Sequence, residues 1–195
     1  MRKISIWWLV AAAVIIAAGI VTVRARASRE QEGSGLTLLR LSELAAGGEE
    51  NAAEIVRLVE TDDSGDLHLH AAAINLLGEL GSPEALPYLR HKFAEGPSVI
   101  SDSAAVAIGT IGTGEAAKFL IDSLDNENNA FFAYACHGLS YCAKDEAREA
   151  LDKAEKEAAT EERRLVAQRA LEMRKAQLAE NSASGSEMSG NRDEE

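Results

Sequence analysis

Cysteine and proline are scarce in this 195-residue sequence, which contains two cysteines and three prolines. Cys136 and Cys142 lie six residues apart, about 9 Å along a helix axis, which is beyond the reach of a disulfide. Their spacing also differs from the two-residue spacing of redox motifs. Aromatic residues make up only 5% of the chain. The abundant alanine, leucine, glutamate and lysine predict an all-α fold, with Cys136 as a core residue.

Positive charge is also in short supply. Lysine and arginine number 20 against 32 aspartates and glutamates, which gives a formal net charge of −12. An acidic chain repels the phosphates of nucleic acids. We therefore expect no nucleic-acid partner.

Motifs for metals, cofactors and catalysis are missing as well. His68 and His70 are two apart on a predicted helix, so they point to different sides and cannot share a metal. The "DDSGD" loop, residues 62–66, lacks the distal glutamate of a calcium loop. No glycine-rich phosphate loop and no ordered nucleophile–base set occur. The sequence predicts a protein that is not an enzyme and holds no cofactor and no metal.

One long stretch has no charge at all. Residues 4–23, "ISIWWLVAAAVIIAAGIVTV", would span roughly 30 Å as a helix, the hydrocarbon thickness of a bilayer. Trp7 and Trp8 lie near one end, where aromatic rings favour the headgroup region. A cleaved signal peptide is the alternative, but the run is long and Arg24 and Arg26 intrude at the cleavage position. We favour a retained transmembrane anchor.

The orientation of this anchor rests on a near balance of basic residues. Arg2 and Lys3 precede the apolar run, and Arg24, Arg26 and Arg29 follow it. A short basic N-terminus usually stays inside. We expect a single-pass membrane protein whose bulk lies outside the cytoplasm, on the periplasmic side.

The rest of the chain divides by composition into a linker, a helical domain and a tail. The expected boundaries are an N-terminal flank (1–3), the transmembrane helix (4–23), a polar linker (24–35), a helical domain with a C-terminal capping helix (36–180) and a disordered acidic tail (181–195).

The helical domain contains an internal repeat. Residues 76–89, "LLGELGSPEALPYL", align with residues 107–120, "AIGTIGTGEAAKFL", at a spacing of 31. Leu69, Ile100 and Phe131 begin equivalent first helices of successive helix pairs. A single amphipathic pair cannot bury both apolar faces, so about four pairs stack into a short right-handed α-solenoid.

The turns inside the pairs follow the same repeat. Gly81 and Gly112 suit a tight turn with positive φ, and Ser82 and Thr113 suit the cap of the second helix. The third pair has Ser140 and Ala143 where the earlier pairs have glycines. Its turn should be less sharp.

These units resemble HEAT-type repeats, in particular the short HEAT-like units of phycobilin lyases. The resemblance is carried by "HAAAINLLGELGSPEALPYL" (70–89) and "SDSAAVAIGTIGTGEAAKFL" (101–120). It implies an armadillo-type α-solenoid that binds a protein or peptide. His70, Ser101 and Phe132 stand where the family has an arginine, so its buried polar ladder is not expected.

Residues 153–177 mix charges at helical spacing. Their apolar positions either cap the stack or meet a partner helix, and capping is favoured because terminal repeats need a polar outer face. These positions are Leu165, Ala170, Leu171 and Met173.

The leading functional hypothesis is a membrane-anchored, non-catalytic scaffold for protein–protein interaction. If the second helices line the concave side, as the resemblance implies, five polar residues are reachable there: Arg90, His91, Lys118, Asp122 and Glu149. The alternatives are a structural subunit of an envelope complex and a chromophore-lyase-like enzyme. The lyase is disfavoured because no cluster of glutamate, histidine and tyrosine emerges that could perform acid–base chemistry.

Overall fold

A computed structural model describes residues 36–189, with side chains described as far as residue 179. The described chain is all-helical, as predicted, and contains no strand within that range. Its helices are α1 (Leu38–Gly47), α2 (Ala52–Thr61), α3 (Leu67–Glu79), α4 (Leu86–Glu95), α5 (Ser98–Ile111), α6 (Gly114–Asp122), α7 (Asn129–Tyr141), α8 (Asp145–Lys156) and α9 (Glu161–Ser189). Short 3₁₀ turns precede α2 and α4 and follow α6 (Glu49–Asn51, Pro83–Ala85, Ser123–Asp125).

The helices stack in chain order. The first helices α3, α5 and α7 pack side by side, and α4 packs against α5. The single helix α9 packs on both α7 and α8 and ends the stack. This placement agrees with the capping role expected for the C-terminal segment.

Several predicted segments fall partly or wholly outside the described residues. The flank (1–3), the apolar run (4–23) and the linker (24–35) all precede them. Among residues 36–189, no helix is long and apolar enough to cross a membrane. The tail expected to be disordered from residue 181 differs from the structure, because α9 continues to Ser189. A single glycine in a run of serine, alanine and glutamate costs only about 1 kcal/mol and does not end a helix.

The repeated apolar positions form the core. Equivalent residues of successive units have almost no exposed surface, which confirms the 31-residue register. On the first helices these are Ala73, Ala104, Ala135, Leu77, Ile108 and Leu139; on the second they are Ala85, Ala116, Ala147, Leu89, Leu120 and Leu151. Cys136 is fully buried, as predicted for a core residue, and Cys142 is fully buried as well. Both thiols are free.

Three glycines bring the first helices into backbone contact. A Cβ on Gly78 would lie 2.6 Å from the Cα of Ala107, in the next first helix. One on Gly109 would overlap the carbonyl oxygen of Gly138, and one on Gly138 would overlap that of Ala105. These backbones therefore approach as closely as two helices can.

The second helices are spaced further apart. Helices α4 and α6 approach each other much less closely than α3 and α5 do. The backbone contact at the glycines therefore makes the first helices the more closely packed layer of the stack. That the second helices line the concave side stays a prediction.

The turns largely follow the sequence prediction. Gly81 and Gly112 have φ of 70° and 61°, and the Thr113 hydroxyl accepts from the Ala116 N–H at 3.1 Å. Ser82 makes no such side-chain cap; it is buried instead. In the third unit the helix ends at Cys142 in an extended conformation (φ −81°, ψ 119°), which is the less sharp turn expected there.

Two arginines of α9 hold the ends of α7. Arg174 is only 3% exposed, and its guanidinium donates to the carbonyls of Cys142, Ala143 and Lys144. These carbonyls follow the helix end that lacks a glycine turn. At the other end of α7, the Arg163 guanidinium donates to the carbonyls of Asn126 and Glu127 and lies 4.6 Å from the Phe132 ring.

The glycine contact predicts a large penalty for one methyl group. Gly138→Ala should destabilise the fold by about 2 kcal/mol, because overpacking typically costs about 1–3 kcal/mol and neither facing backbone can rotate away. Gly114→Ala is the matched control, since a Cβ there meets nothing within 4 Å. It should leave stability unchanged or raise it by less than about 1 kcal/mol. Equilibrium urea unfolding followed by circular dichroism measures both, and equal stabilities would refute the contact.

Candidate functional site

An open groove of about 540 Å³ lies on the first-helix side of the stack. Helix α7 forms its floor, and α5 and α9 form its two walls. No residue of a second helix lines it. The apolar lining comes from all three helices: Val99, Ala133, Tyr134, Val166 and Met173.

The groove follows from the stacking of the first helices. Ala133 on α7 has a small side chain, so the base of the groove is not filled. Helix α9 is held against α7 by the guanidiniums of Arg163 and Arg174 and by the buried side chains Ala167, Ala170 and Leu171. The groove therefore forms only when α9 packs on α7.

The floor and one wall are joined by a hydrogen bond. The Nδ1 of His137 lies 2.7 Å from Oδ1 of Asp102, and both side chains are partly exposed. An ionised carboxylate only accepts, so Nδ1 carries the proton. The His137 ring also contacts Tyr141 edge to face at a centroid distance of 5.5 Å. The imidazole is thus fixed on two sides.

The two walls carry opposite charges. Asp102 lies on the α5 wall and Arg169 on the α9 wall. Among the described residues Arg169 makes no ion pair, and Asp102 pairs with His137 alone. A ligand that spans the groove meets a carboxylate on one side and a guanidinium on the other.

Cys136 lines the same groove but is not a reactive site. Its side chain has no exposed surface, and burial raises the pKa of the thiol to about 12. A thiol with such a pKa is neutral near pH 7, and the neutral form is a poor nucleophile. Cys136 is core filler in the floor.

Three unrelated contacts are made at the positions where HEAT-type repeats carry an arginine. His70 Nε2 lies 2.7 Å from Asp62, the Ser101 hydroxyl donates to the Gly96 carbonyl at 3.0 Å, and Phe132 lies beneath Arg163. Hydrogen bonds from the Ser64 hydroxyl and from His70 lower the pKa of Asp62. The three positions thus make different kinds of contact, one ion pair, one hydrogen bond and one contact of a cation with a ring.

The five residues expected to bind a partner lie on second helices and do not converge. Arg90 bridges α4 and α6, because it pairs with Glu115 at 2.9 Å and lies 5.1 Å from the Phe119 ring. Within the described part of the chain, the other four residues make only pairs within one helix or none. His91 pairs with Glu95 at 3.5 Å and Lys118 pairs with Asp122 at 2.7 Å. Glu149 is exposed. Asp122 also lines a smaller cavity of about 360 Å³, whose lining mixes apolar side chains with charged ones such as Lys153 and Glu157.

Two groove residues on α9, Ala170 and Met173, were among the positions expected to cap the stack or meet a partner helix. The polar groove residues on α5 and α7 were missed because they do not lie at repeated positions. Asp102 aligns with Ala71 and Ala133 at the 31-residue spacing, and His137 aligns with Val106. The sequence did contain a signal for these residues: on the first helices, they differ in type from the equivalent residues of the other units. In residues 36–179, no three histidine, cysteine, aspartate or glutamate side chains gather as a metal site.

Comparison with protein families identifies a repeat in the helical domain. Residues 69–94, which run from the first turn of α3 through most of α4, match the model of the PBS lyase HEAT-like repeat. No curated protein matches the sequence. A HEAT-like repeat is therefore present in this helix pair.

Because α9 packs next to both cysteines, its position should control how fast their thiols react. In the native protein neither Cys136 nor Cys142 should react with a maleimide at pH 7. Arg174→Ala removes the donor of three carbonyls, of which that of Cys142 is buried. One buried unsatisfied group costs about 1–3 kcal/mol, so α9 should open and maleimide labelling should rise about tenfold or more.

Arg164→Ala provides the matched control for this experiment. Arg164 lies on the same helix but is exposed and pairs only with Glu161. Its removal should leave the labelling rate close to that of the wild type. A rate unaffected by Arg174→Ala would show that this arginine does not hold α9.

Proposed function

We propose that this protein is a non-catalytic scaffold that binds a partner protein in the groove between α5, α7 and α9. The underlying fold is a right-handed HEAT-type α-solenoid, and residues 4–23 tether it to a membrane, with the helical domain outside the cytoplasm. The observation that carries the proposal is an open groove with apolar lining and walls of opposite charge.

The occupant we propose is a segment of a partner protein with an apolar face between a basic and an acidic side chain. The apolar face covers Val99, Tyr134 and Met173, which gains from removing these side chains from water. The basic residue meets Asp102 and the acidic residue meets Arg169. Because the two charges lie on opposite walls, they fix the direction in which the segment lies.

The tether is supported by composition. Twenty consecutive residues without charge match the thickness of a bilayer, and basic residues flank both ends. Attachment to a membrane raises the local concentration of the groove near other membrane-bound proteins. The groove and tether together suit a docking site for a membrane-associated partner.

Site-specific photo-crosslinking tests the groove against the second-helix surface. A photoreactive phenylalanine analogue at Val99 should give a defined adduct in intact cells, and one at Glu149 should not. Asp102→Asn should lower the yield about tenfold or more, since a hydrogen bond to a charged group contributes about 1.5–3 kcal/mol. Asp122→Asn, an exposed aspartate on α6, is the control and should not change it.

The opposite pattern would contradict the groove as the binding site. Adducts at Glu149 that are sensitive to Asp122→Asn would assign binding to the second helices instead. An adduct at Val99 that survives both Asp102→Asn and Arg169→Gln would remove the charge argument. The partner would then be held by apolar contact alone.

A second candidate function, attachment of a linear tetrapyrrole, is favoured by one observation. The groove brings Tyr134, His137 and Asp102 together, a grouping that was not apparent in the sequence. We expect no change in the absorbance spectrum of a free bilin when the protein is added. A red shift that disappears in His137→Ala would support chromophore chemistry over the scaffold.

A further inference from the structure

Helix α1 exposes two large apolar side chains at the start of the stack. Leu38 and Leu39 are 70% and 71% exposed, more than any other large apolar side chain of the described residues. On the same helix, Leu41 and Leu44 are buried in the core. The helix therefore has one apolar face in the core and a second apolar site in water.

The position of these leucines in the chain indicates what covers them. The uncharged run ends at Val23, and only residues 24–37 separate it from Leu38. Even fully extended, fourteen residues reach at most about 50 Å. If residues 4–23 lie in a bilayer, α1 is held near the surface of that bilayer.

The start of the stack is less acidic than the chain as a whole. Residues 24–43 contain four arginines and three glutamates, a net charge of +1. Arg40, next to the two leucines, pairs with Glu43 at 3.1 Å. Basic side chains next to apolar ones suit the headgroup region, where the stems lie among lipid and the charges meet phosphate. The chain as a whole has a net charge of −12, so its other surfaces are repelled by an anionic membrane.

We propose that Leu38 and Leu39 insert into the interface of the bilayer that holds residues 4–23. This inference rests on the proposed tether. Helix α1 then makes a second contact with the membrane beyond the tether. A tether alone leaves the stack free to rotate, whereas two contacts restrict its orientation and so restrict where the groove faces.

The test uses the full chain in nanodiscs of phosphatidylcholine and phosphatidylglycerol. Leu39→Cys is labelled with the environment-sensitive dye NBD, and the native thiols stay silent because both are buried. Ala94→Cys, on an exposed position of α4, is the matched control. Nitroxide-labelled lipids then report whether the dye touches the bilayer.

The expected result is a blue-shifted NBD emission at position 39 and a roughly twofold loss of that emission with nitroxide lipids, as for an interfacial apolar contact. The dye at position 94 should show neither effect. A blue shift without quenching would overturn the proposal, since protein would then cover the leucines, either residues 1–35 or a second copy. An unshifted emission would also overturn it, because the leucines would lie in water.

The same preparation separates this inference from the tether. Protein that stays with the nanodisc on gel filtration, yet shows no quenching at position 39, removes the leucine contact and leaves the tether intact. Protein that separates from the nanodisc removes the tether, and the inference with it. Leu38→Cys repeats the measurement at an adjacent position and should give the same quenching.

Discussion

The backbone contact between α5 and α7 at Gly109 and Gly138 sets the spacing on which the rest of the stack depends. Neither residue has a side chain to hold the helices apart, so their carbonyls and Cα atoms determine the separation. The contact between Gly78 and Ala107 does the same one unit earlier. Helix packing at this distance gives dense van der Waals contact over each interface.

The first helices are packed more closely than the second helices, and the two layers therefore present different surfaces. On the second-helix side the gap between α4 and α6 is filled by large side chains: Phe93 and Phe119 meet edge to face at 5.4 Å, and Arg90 covers Phe119. Between α4 and α6 that side is therefore closed by its own packing. On the first-helix side the small residues leave α7 low between α5 and α9, so the groove opens there.

Much of this fold was visible in the sequence because its causes are local. Helix periodicity, left-handed glycines and capping side chains act over a few residues, and the 31-residue register placed Leu77, Ile108 and Leu139 in the core correctly. The backbone contact at Gly138 was not predicted because it joins helices about 30 residues apart. Gly138 falls two positions from the repeated glycine position, so the register gave it no role. The groove could not be derived for the same reason, since one wall belongs to α9.

In the third unit, a distant arginine compensates for the absence of a glycine at the end of the first helix. Where the first units end a helix with glycine in the left-handed region, this unit has Cys142 in an extended conformation and three carbonyls that need donors. Arg174 supplies them from 30 residues away, and its five-donor fork suits several acceptors at once. Because that arginine also fixes α9, the end of the stack and the second wall of the groove depend on the same side chain. A free terminal helix would have left α7 exposed and the groove with only one wall.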